Sequence, residues 1–354
     1  MFSTRWDVSL PVTALLAAAV STSCGGSASA PAGNAWGSSD MSASAPVALE
    51  GTVKLRAPVL SFNDTGLSVS DGVTRNGLWD VDSAGIDWEF SLDLGQTWAR
   101  GEGASFEVKG DGAKMIWVRA RDDAGNTSEI VKVSCVLDTL APAALAVSAQ
   151  AEGATHRLQL SGLEPDARWE YSLNGQAPWH PGRGTALGVL GNGINPIWLR
   201  QVDLAGNPSE AQVFDLQSPS LLTHEASGDP LQPSVLASGL QTYLIHGVVV
   251  RGDADYVRWD VPKGQLLLSV RLVLYASDDL VAFYALQPNI VFDAGIDTTR
   301  MLTFGHMGPS DLNRNVLANT PPQLRSEGPM TLWFQQTAPL PTQYAIEVTL
   351  APLN

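Results

Sequence analysis

Carboxylates are the residues best placed to do chemistry in this 354-residue chain, and five aspartates sit where turns could bring their oxygens together. Asp64 and Asp71 lie in "NDTGLSVSDG", Asp122 closes a strand-like run, Asp138 opens "DTLAP", and Asp203 belongs to "RQVDLAGN". Calcium takes about six to eight hard oxygens, which only converging loops can supply. The same aspartates cap turns in metal-free loops, and no EF-hand spacing separates the two readings. Tyr256, Trp333 and Phe334 form a second group, whose rings would offer a ligand-binding row if they faced solvent. Nucleophile and zinc motifs are missing: there is no GxSxG, HExxH, GxxxxGK[ST] or Cys-pair pattern. His156, His180, His224, His246 and His306 are scattered, and His306 with Asp278 and Asp279 are the nearest approach to a catalytic set. A glycosidase can work with carboxylates alone. With no larger catalytic-looking domain in view, the chain reads as a non-enzyme, and a secreted glycan-active enzyme is kept only as an alternative.

The elements that position these residues come from a duplication. "WEFSLDLGQTW" at Trp88 to Trp98 is answered by "WEYSLNGQAPW" at Trp169 to Trp179. At the same offset Trp117 meets Trp198, Arg119 meets Arg200, Asp122 meets Asp203, and "AGN" at 124–126 meets "AGN" at 205–207. A gapless offset over this length signals repeated architecture. Trp88, Phe90 and Leu92 alternate with polar residues, as do Trp169, Tyr171 and Leu173, which predicts strands with those side chains inward. Asn174-Gly175 predicts a type I′ hairpin turn, and Asp93 to Gly95 a longer one. In the next strand Ile116 and Val118 are expected inside, leaving Trp117 outside as a plate beside Arg119; Ile197, Leu199, Trp198 and Arg200 follow the same register. Matched tryptophans in both copies argue for a structural role, with a sugar platform as the alternative.

The amino terminus reads as export machinery. Arg5 precedes an apolar run from Val8 to Val20, too short for an ordinary membrane span, and small residues lead to Cys24. "STSC" resembles a bacterial lipobox, with Ser21 in place of the usual leucine, and implies acylation of Cys24 after removal of residues 1–23. Gly25 resembles the signal that passes such proteins to an outer membrane. Residues 24–48, rich in Gly, Ser, Ala and Pro, form a flexible tether. Cys135 then has no cysteine partner and is expected as a buried, inert thiol. A formal charge of −15 disfavours nucleic acid, whose phosphates would be repelled.

"NDTGLSVSDGVTRNG", "WEFSLDLGQTWARGEG", "VRARDDAGNTSE" and "LDTLAPAA" together resemble the bacterial Ig-like repeats of surface adhesins and biofilm proteins. The resemblance covers about residues 50–216. It implies chained β-sandwiches that project a functional module and often bind Ca²⁺ at domain junctions, with Asp138 favoured over Asp203 because copy two lacks the "DTG…DG" opening. Beyond it, "GDADYVRWDVPKGQ" at 252–265 and "YAIEV" at 344–348 resemble the pre-peptidase C-terminal domain family, implying a small jelly-roll sandwich. Some of those relatives bind collagen, polysaccharide or calcium. Val257, Trp259 and Val261 alternate with Tyr256, Arg258 and Asp260, and Pro262 to Gly264 predict a hairpin turn.

The expected fold is therefore all-β: two tandem Ig-like β-sandwiches (49–137 and 138–216) and a jelly-roll-like β-sandwich (217–354). The expected function is adhesion or surface assembly by a lipid-anchored protein of the bacterial outer membrane or cell surface, contacting a surface protein or polysaccharide. A carbohydrate-binding accessory protein is the alternative. An exposed aromatic row in the last domain would favour the glycan, and an open edge strand without one would favour strand addition.

Overall fold

A computed structural model describes residues 54–191, 196–215, 225–294 and 296–353, which belong to one compact unit. The signal segment 1–23, the tether 24–48, Cys24, His224 and the boundary at 216/217 lie outside the described residues.

The first repeat contains β1 (Val59–Phe62), β2 (Val73–Thr74), β3 (Leu78–Asp82), β4 (Trp88–Ser91), β5 (Ala99–Arg100), β6 (Ser105–Glu107), β7 (Gly112–Ala120) and β8 (Val131–Leu137). They make a three-stranded sheet, β1-β3-β6, and a five-stranded sheet, β2-β8-β7-β4-β5. Trp79, Val81 and Phe106 from the first sheet meet Trp88, Ile116, Val118 and Cys135 from the second in one core, as sheet-on-sheet packing requires.

The second repeat contains β9 (Ala146–Glu152), β10 (Thr155–Ser161), β11 (Arg168–Ser172), β12 (His180–Pro181), β13 (Ala186–Gly191), β14 (Ile197–Val202) and β15 (Gln212–Phe214). Beyond it come β16 (Ser234–Val235), β17 (Thr242–Val249), β18 (Ala254–Ala276), β19 (Ala282–Gln287), β20 (Thr303–Met307), β21 (Ser326–Gln335) and β22 (Thr342–Pro352). One sheet of the second repeat is β12-β11-β14-β15. The other does not stop at the repeat. It runs β20-β19-β21-β18-β22-β17-β13-β10-β9, because β13 pairs in parallel with β17 from Leu187↔Thr242 to Gly191↔His246. The core is continuous as well: Leu244, Val273 and Ala345 pack with Trp169, Tyr171, Leu187 and Leu199.

The repeat signature is a packing device. The Trp88 indole N–H donates to Gly103 O at 3.0 Å, and Trp169 donates to Gly184 O at 2.7 Å. A Cβ on Gly101 would lie 2.3 Å from the Trp88 ring, and one on Gly182 would lie 2.1 Å from Trp169, so only glycine lets the strand lie on the indole. Outside, Arg119 stacks over Trp98 at 3.9 Å and Arg200 over Trp179 at 3.8 Å, each guanidinium also paired with Glu89 or Glu170. Lys132, not Arg119, covers Trp117, at 4.1 Å. Trp98, Trp117 and Trp179 therefore carry cations of their own chain, a structural use that the Trp98 and Trp179 positions share in both copies.

Ile116, Val118, Ile197 and Leu199 are fully buried, and Trp88, Trp169 and Tyr171 point inward as the alternation predicts. Leu92 does not: it is 49% exposed, since β4 ends at Ser91 and the chain is already turning. At 174–175 only Gly175 has positive φ, so the turn is not type I′. Pro262 to Gly264 do not form a hairpin either. β18 continues through them with a register shift between Val261 and Leu266, so its first half pairs with β21 and its second with β22. The module's described strands all belong to one sheet whose path does not close. The described chain is all-β and multi-sheet, consistent with tandem sandwich-like domains.

Candidate functional site

The long strand β18 and its neighbours line up an aromatic sheet face. Tyr256 stands opposite Trp333, Trp333 opposite Ala285, and Ala285 opposite Phe304, so one rung crosses β18, β21, β19 and the edge strand β20. The adjacent rung is Ala254, Gln335, Phe283 and His306. Directly paired residues share a face, and residues two apart along a strand share it too. Rings meet at 5.6 Å (Tyr256–Trp333), 5.1 Å (Phe283–Trp333) and 6.0 Å (Phe283–His306), the last two edge to face. Such offsets suit the aromatic quadrupole. Phe292, held by its N–H to Pro230 O at 3.0 Å, closes one side against Tyr256 and Trp333.

Exposure grades across this face. Tyr256 and Trp333 form the floor at 7% and 8%, Phe283 is half-buried, and Phe304 is 47% exposed beside an exposed His306. The Trp333 indole N–H donates to Gln335 Oε1 at 3.1 Å, presenting an amide within the apolar patch. Burial, with Asp229 adding its charge, pushes the Tyr256 phenol above its ordinary range, so it stays a neutral hydroxyl. The arrangement offers apolar ring edges and faces, an imidazole and an amide, which is the equipment for holding a flat, amphipathic ligand against a rigid sheet.

Phe334 is a correction. It follows Trp333, so strand alternation turns it to the opposite face, where it is fully buried and packed, tilted, against Tyr344 at 4.2 Å between ring centres. The Tyr344 hydroxyl donates to Asp255 at 2.6 Å, and burial raises that carboxyl to about 7. Tyr256 and Trp333 are brought together, but as a floor and not as an exposed row. Sequence reasoning misses Phe283, Phe292 and Phe304, and offers His306 only as a catalytic or ligand candidate beside Asp278 and Asp279. The alternation in "AFYALQ" and "TFGHM" signals strands, yet nothing local fixes their register against β21.

The five aspartates do not gather into one oxygen cluster. Asp64 is buried, accepts Gly72 N–H at 2.9 Å on one oxygen, and has no hydrogen-bond partner on the other. Asp71 accepts from Val73 N–H, and Asp122 from both nitrogens of Asn126. Asp138 and Asp203 are linked through Asn207, whose amide donates to the Asp138 carbonyl at 2.8 Å and to the Asp203 carboxylate at 2.9 Å. Among the described residues no group of three or more His, Cys, Asp or Glu could hold a metal ion. The junction between the repeats is made by hydrogen bonds onto backbone carbonyls: Leu67 N–H donates to Leu204 O at 3.2 Å and the Thr65 hydroxyl to Ala205 O at 3.0 Å. The "DTG" loop of repeat one thus clasps the "LAGN" turn of repeat two.

Asp279 is committed to Leu340 N–H at 2.9 Å, and His306 lies on the aromatic face. Cys135 is buried, and burial raises its thiol pKa. These placements are consistent with a non-enzymatic protein.

No family model matches the chain, and no curated protein matches it. Among solved structures it is similar to carbohydrate-binding modules of the beta-sandwich super family (8% identity, TM-score 0.21, 85% of this chain and 94% of that one). It is also similar to a protein crystallised with xylogluco-oligosaccharide (9%, TM-score 0.23, 84% and 80%) and to the FN1–FN3 domains of chicken CNTN1 (10%, TM-score 0.17, 78% and 96%). At identities and scores this low the likeness carries no argument about function. The chain is a multidomain all-β protein with weak similarity to β-sandwich carbohydrate-binding and FN3 domains.

Proposed function

We propose that the chain is an exported, surface-attached binding protein whose C-terminal sheet face recognises carbohydrate, with the Ig-like repeats as its spacer and an acylated Cys24 as its anchor. The observation that carries the reading is the cross-strand aromatic face from Tyr256 and Trp333 to Phe304 and His306. A sugar ring has one C–H-rich face that packs on aromatic carbon and an equator of hydroxyls that Gln335 and His306 can meet. A glycan array followed by calorimetry on the full chain tests it. Phe304→Ala should weaken the best glycan about tenfold without altering the melt, as a contact of about 1.4 kcal/mol requires. An unchanged affinity refutes the face.

Adhesion or surface assembly is the second reading, supported by β20, whose outer edge has no strand neighbour among the described residues. Strand addition there would use backbone hydrogen bonds and tolerate Phe304→Ala, while a proline at an outward-facing N–H of β20 would abolish it. Lipidation at Cys24 is checked by intact mass and membrane fractionation. A structural calcium ion belongs to this proposal only at Asp64, whose unpartnered oxygen is the atom that would meet it.

A further inference from the structure

A cleft of about 590 Å³ opens where the second repeat joins the C-terminal strands, and it is lined by Arg168, Arg183, Arg271, Ser269, Asn313 and Asn315 among others. Three guanidinium groups in one cleft are out of keeping with a chain of formal charge −15. The carboxylates that partner them sit behind, away from solvent. Glu170, with its side chain 7% exposed, accepts from both Arg168 at 2.7 Å and Arg200 at 2.9 Å. Glu347, fully buried, is shared by Arg271 and by the Tyr171 hydroxyl at 2.9 Å. Arg183 is exposed and enters no ion pair among the described residues. Four arginines against two glutamates leave the seam positive. His180, buried beneath it, is held at about 4, by burial first and by the Arg271 charge second, so it stays neutral near pH 7.

The geometry points to this cleft as a second binding site, for the carboxylate of an acidic sugar, a uronic-acid unit. Guanidinium matches a planar carboxylate with two parallel hydrogen bonds, and the Asn313 amide beside it offers a neutral partner for a hydroxyl. That the carboxylate is carried on a sugar rests on the glycan reading above; the preference for an anion rests on the cleft alone. Arg168 and Arg271 arrive already oriented by Glu170 and Glu347, so binding orders little that is not already ordered.

The test is calorimetric titration of the full chain at low salt with an oligouronide, with its carboxyl-reduced neutral counterpart, and with inorganic sulfate as competitor. The oligouronide should bind at least about tenfold tighter than the reduced form, the range of a charge-assisted hydrogen bond. Arg183→Gln, at an exposed side chain with no ion pair among the described residues, should remove most of that preference while leaving the melt unchanged, and Arg168→Gln should also remove most of it, Glu170 keeping its pair with Arg200. Arg271→Gln is unsuitable, because it strands the buried Glu347 charge. Equal affinity for the two oligosaccharides, or a preference undiminished in the Arg168/Arg183 double variant, overturns the site. Competition by sulfate without any preference for the oligouronide makes the cleft a plain oxyanion site and overturns the sugar assignment. Neutral-glycan binding that depends on Phe304, with no carboxylate preference, refutes this inference and leaves the sheet-face reading standing. Oligouronide binding through Arg183 with no Phe304-dependent glycan does the reverse.

Discussion

β6 and β13 occupy the same place in the two repeats and meet opposite fates. β6 is three residues, "SFE", exposed on both sides of Phe106, and Glu107 pairs with Lys109 at 3.2 Å on the surface just beyond it. Charged residues on a short strand are how a sheet edge is kept from recruiting neighbours. β13 is "ALGVLG", six residues all buried, and it accepts β17 as a parallel neighbour. A continuous apolar run is what a strand covered on both faces requires. The same contrast explains the missing "DTG" in copy two. Repeat one needs that loop to clasp the next repeat's turn, whereas repeat two is joined to its neighbour by the sheet itself. One duplicated domain thus supports two kinds of joint, and the choice lies in a few residues at an edge strand.

The largest effect that could break this comparison is loss of an indole. Trp88→Ala and Trp169→Ala should each cost ~3 to 5 kcal/mol through lost burial and a cavity. Trp88→Ala should destabilise only the first repeat's transition in a denaturant melt, while Trp169→Ala should bring down the C-terminal transition with it. Separate behaviour of repeat two and the C-terminal strands would refute the shared core.

Next come the joints. A Cβ on Gly191 would lie 1.6 Å from His246 O, at the end of the β13–β17 ladder. A Cβ on Gly66, where φ is +115°, would lie 2.1 Å from Leu204 O. Overpacking of this kind costs about 1 to 3 kcal/mol. Gly191→Ala should lower the stability of repeat two and the C-terminal strands together, whereas Gly66→Ala should free repeat one, seen as a broader length distribution in small-angle scattering, with the melts of its neighbours unchanged.

Acid sharpens the contrast further. His180 corresponds to Ala99 in repeat one, so only repeat two carries this titration. Its pKa is about 4 in the folded chain against an ordinary 6.5. The folded chain therefore binds fewer protons, and this contribution is complete above pH 6.5 and lost as pH falls towards 4. At about 1.4 kcal/mol per pKa unit it amounts to about 3 kcal/mol. Asp255 works in the opposite sense: its pKa is raised to about 7, so its contribution is present below about pH 4 and lost as pH rises through 7. His180→Gln should flatten the acid-side fall in melting temperature, and Asp255→Asn should raise stability at pH 8 but not at pH 4.

The smallest expected effect is calcium. At a concentration equal to its dissociation constant, an ion bound at Asp64 would add about 0.4 kcal/mol to repeat one, read as a small rise in melting temperature in millimolar Ca²⁺ and absent in Asp64→Asn.

Much of the fold was legible because period-two alternation survives inside strands. Ile116, Val118, Trp169 and Tyr171 sit where that pattern puts them. It fails at strand ends, as at Leu92, and where a bulge mimics a turn, as at Pro262 to Gly264. The candidate face was half legible. Tyr256 and Trp333 are strand aromatics of the kind that a binding face uses, but consecutive Trp333 and Phe334 cannot share a face. Phe304 joins them only through the register of β19 and β20, a long-range property with no local signal. The Arg168, Arg183 and Arg271 cleft was invisible for the same reason: its walls come from segments roughly a hundred residues apart, joined only once β13 has met β17.

On the proposed reading, in which the chain is anchored at one end and bound at the other, load would pass through both joints. The clasp between the repeats is a handful of hydrogen bonds at Leu67, Thr65 and Asn207, while the β13–β17 ladder is backed by a shared apolar core. Under such a load the clasp is expected to open before the core-backed ladder, so the weaker joint would act as a shock absorber for the stronger one.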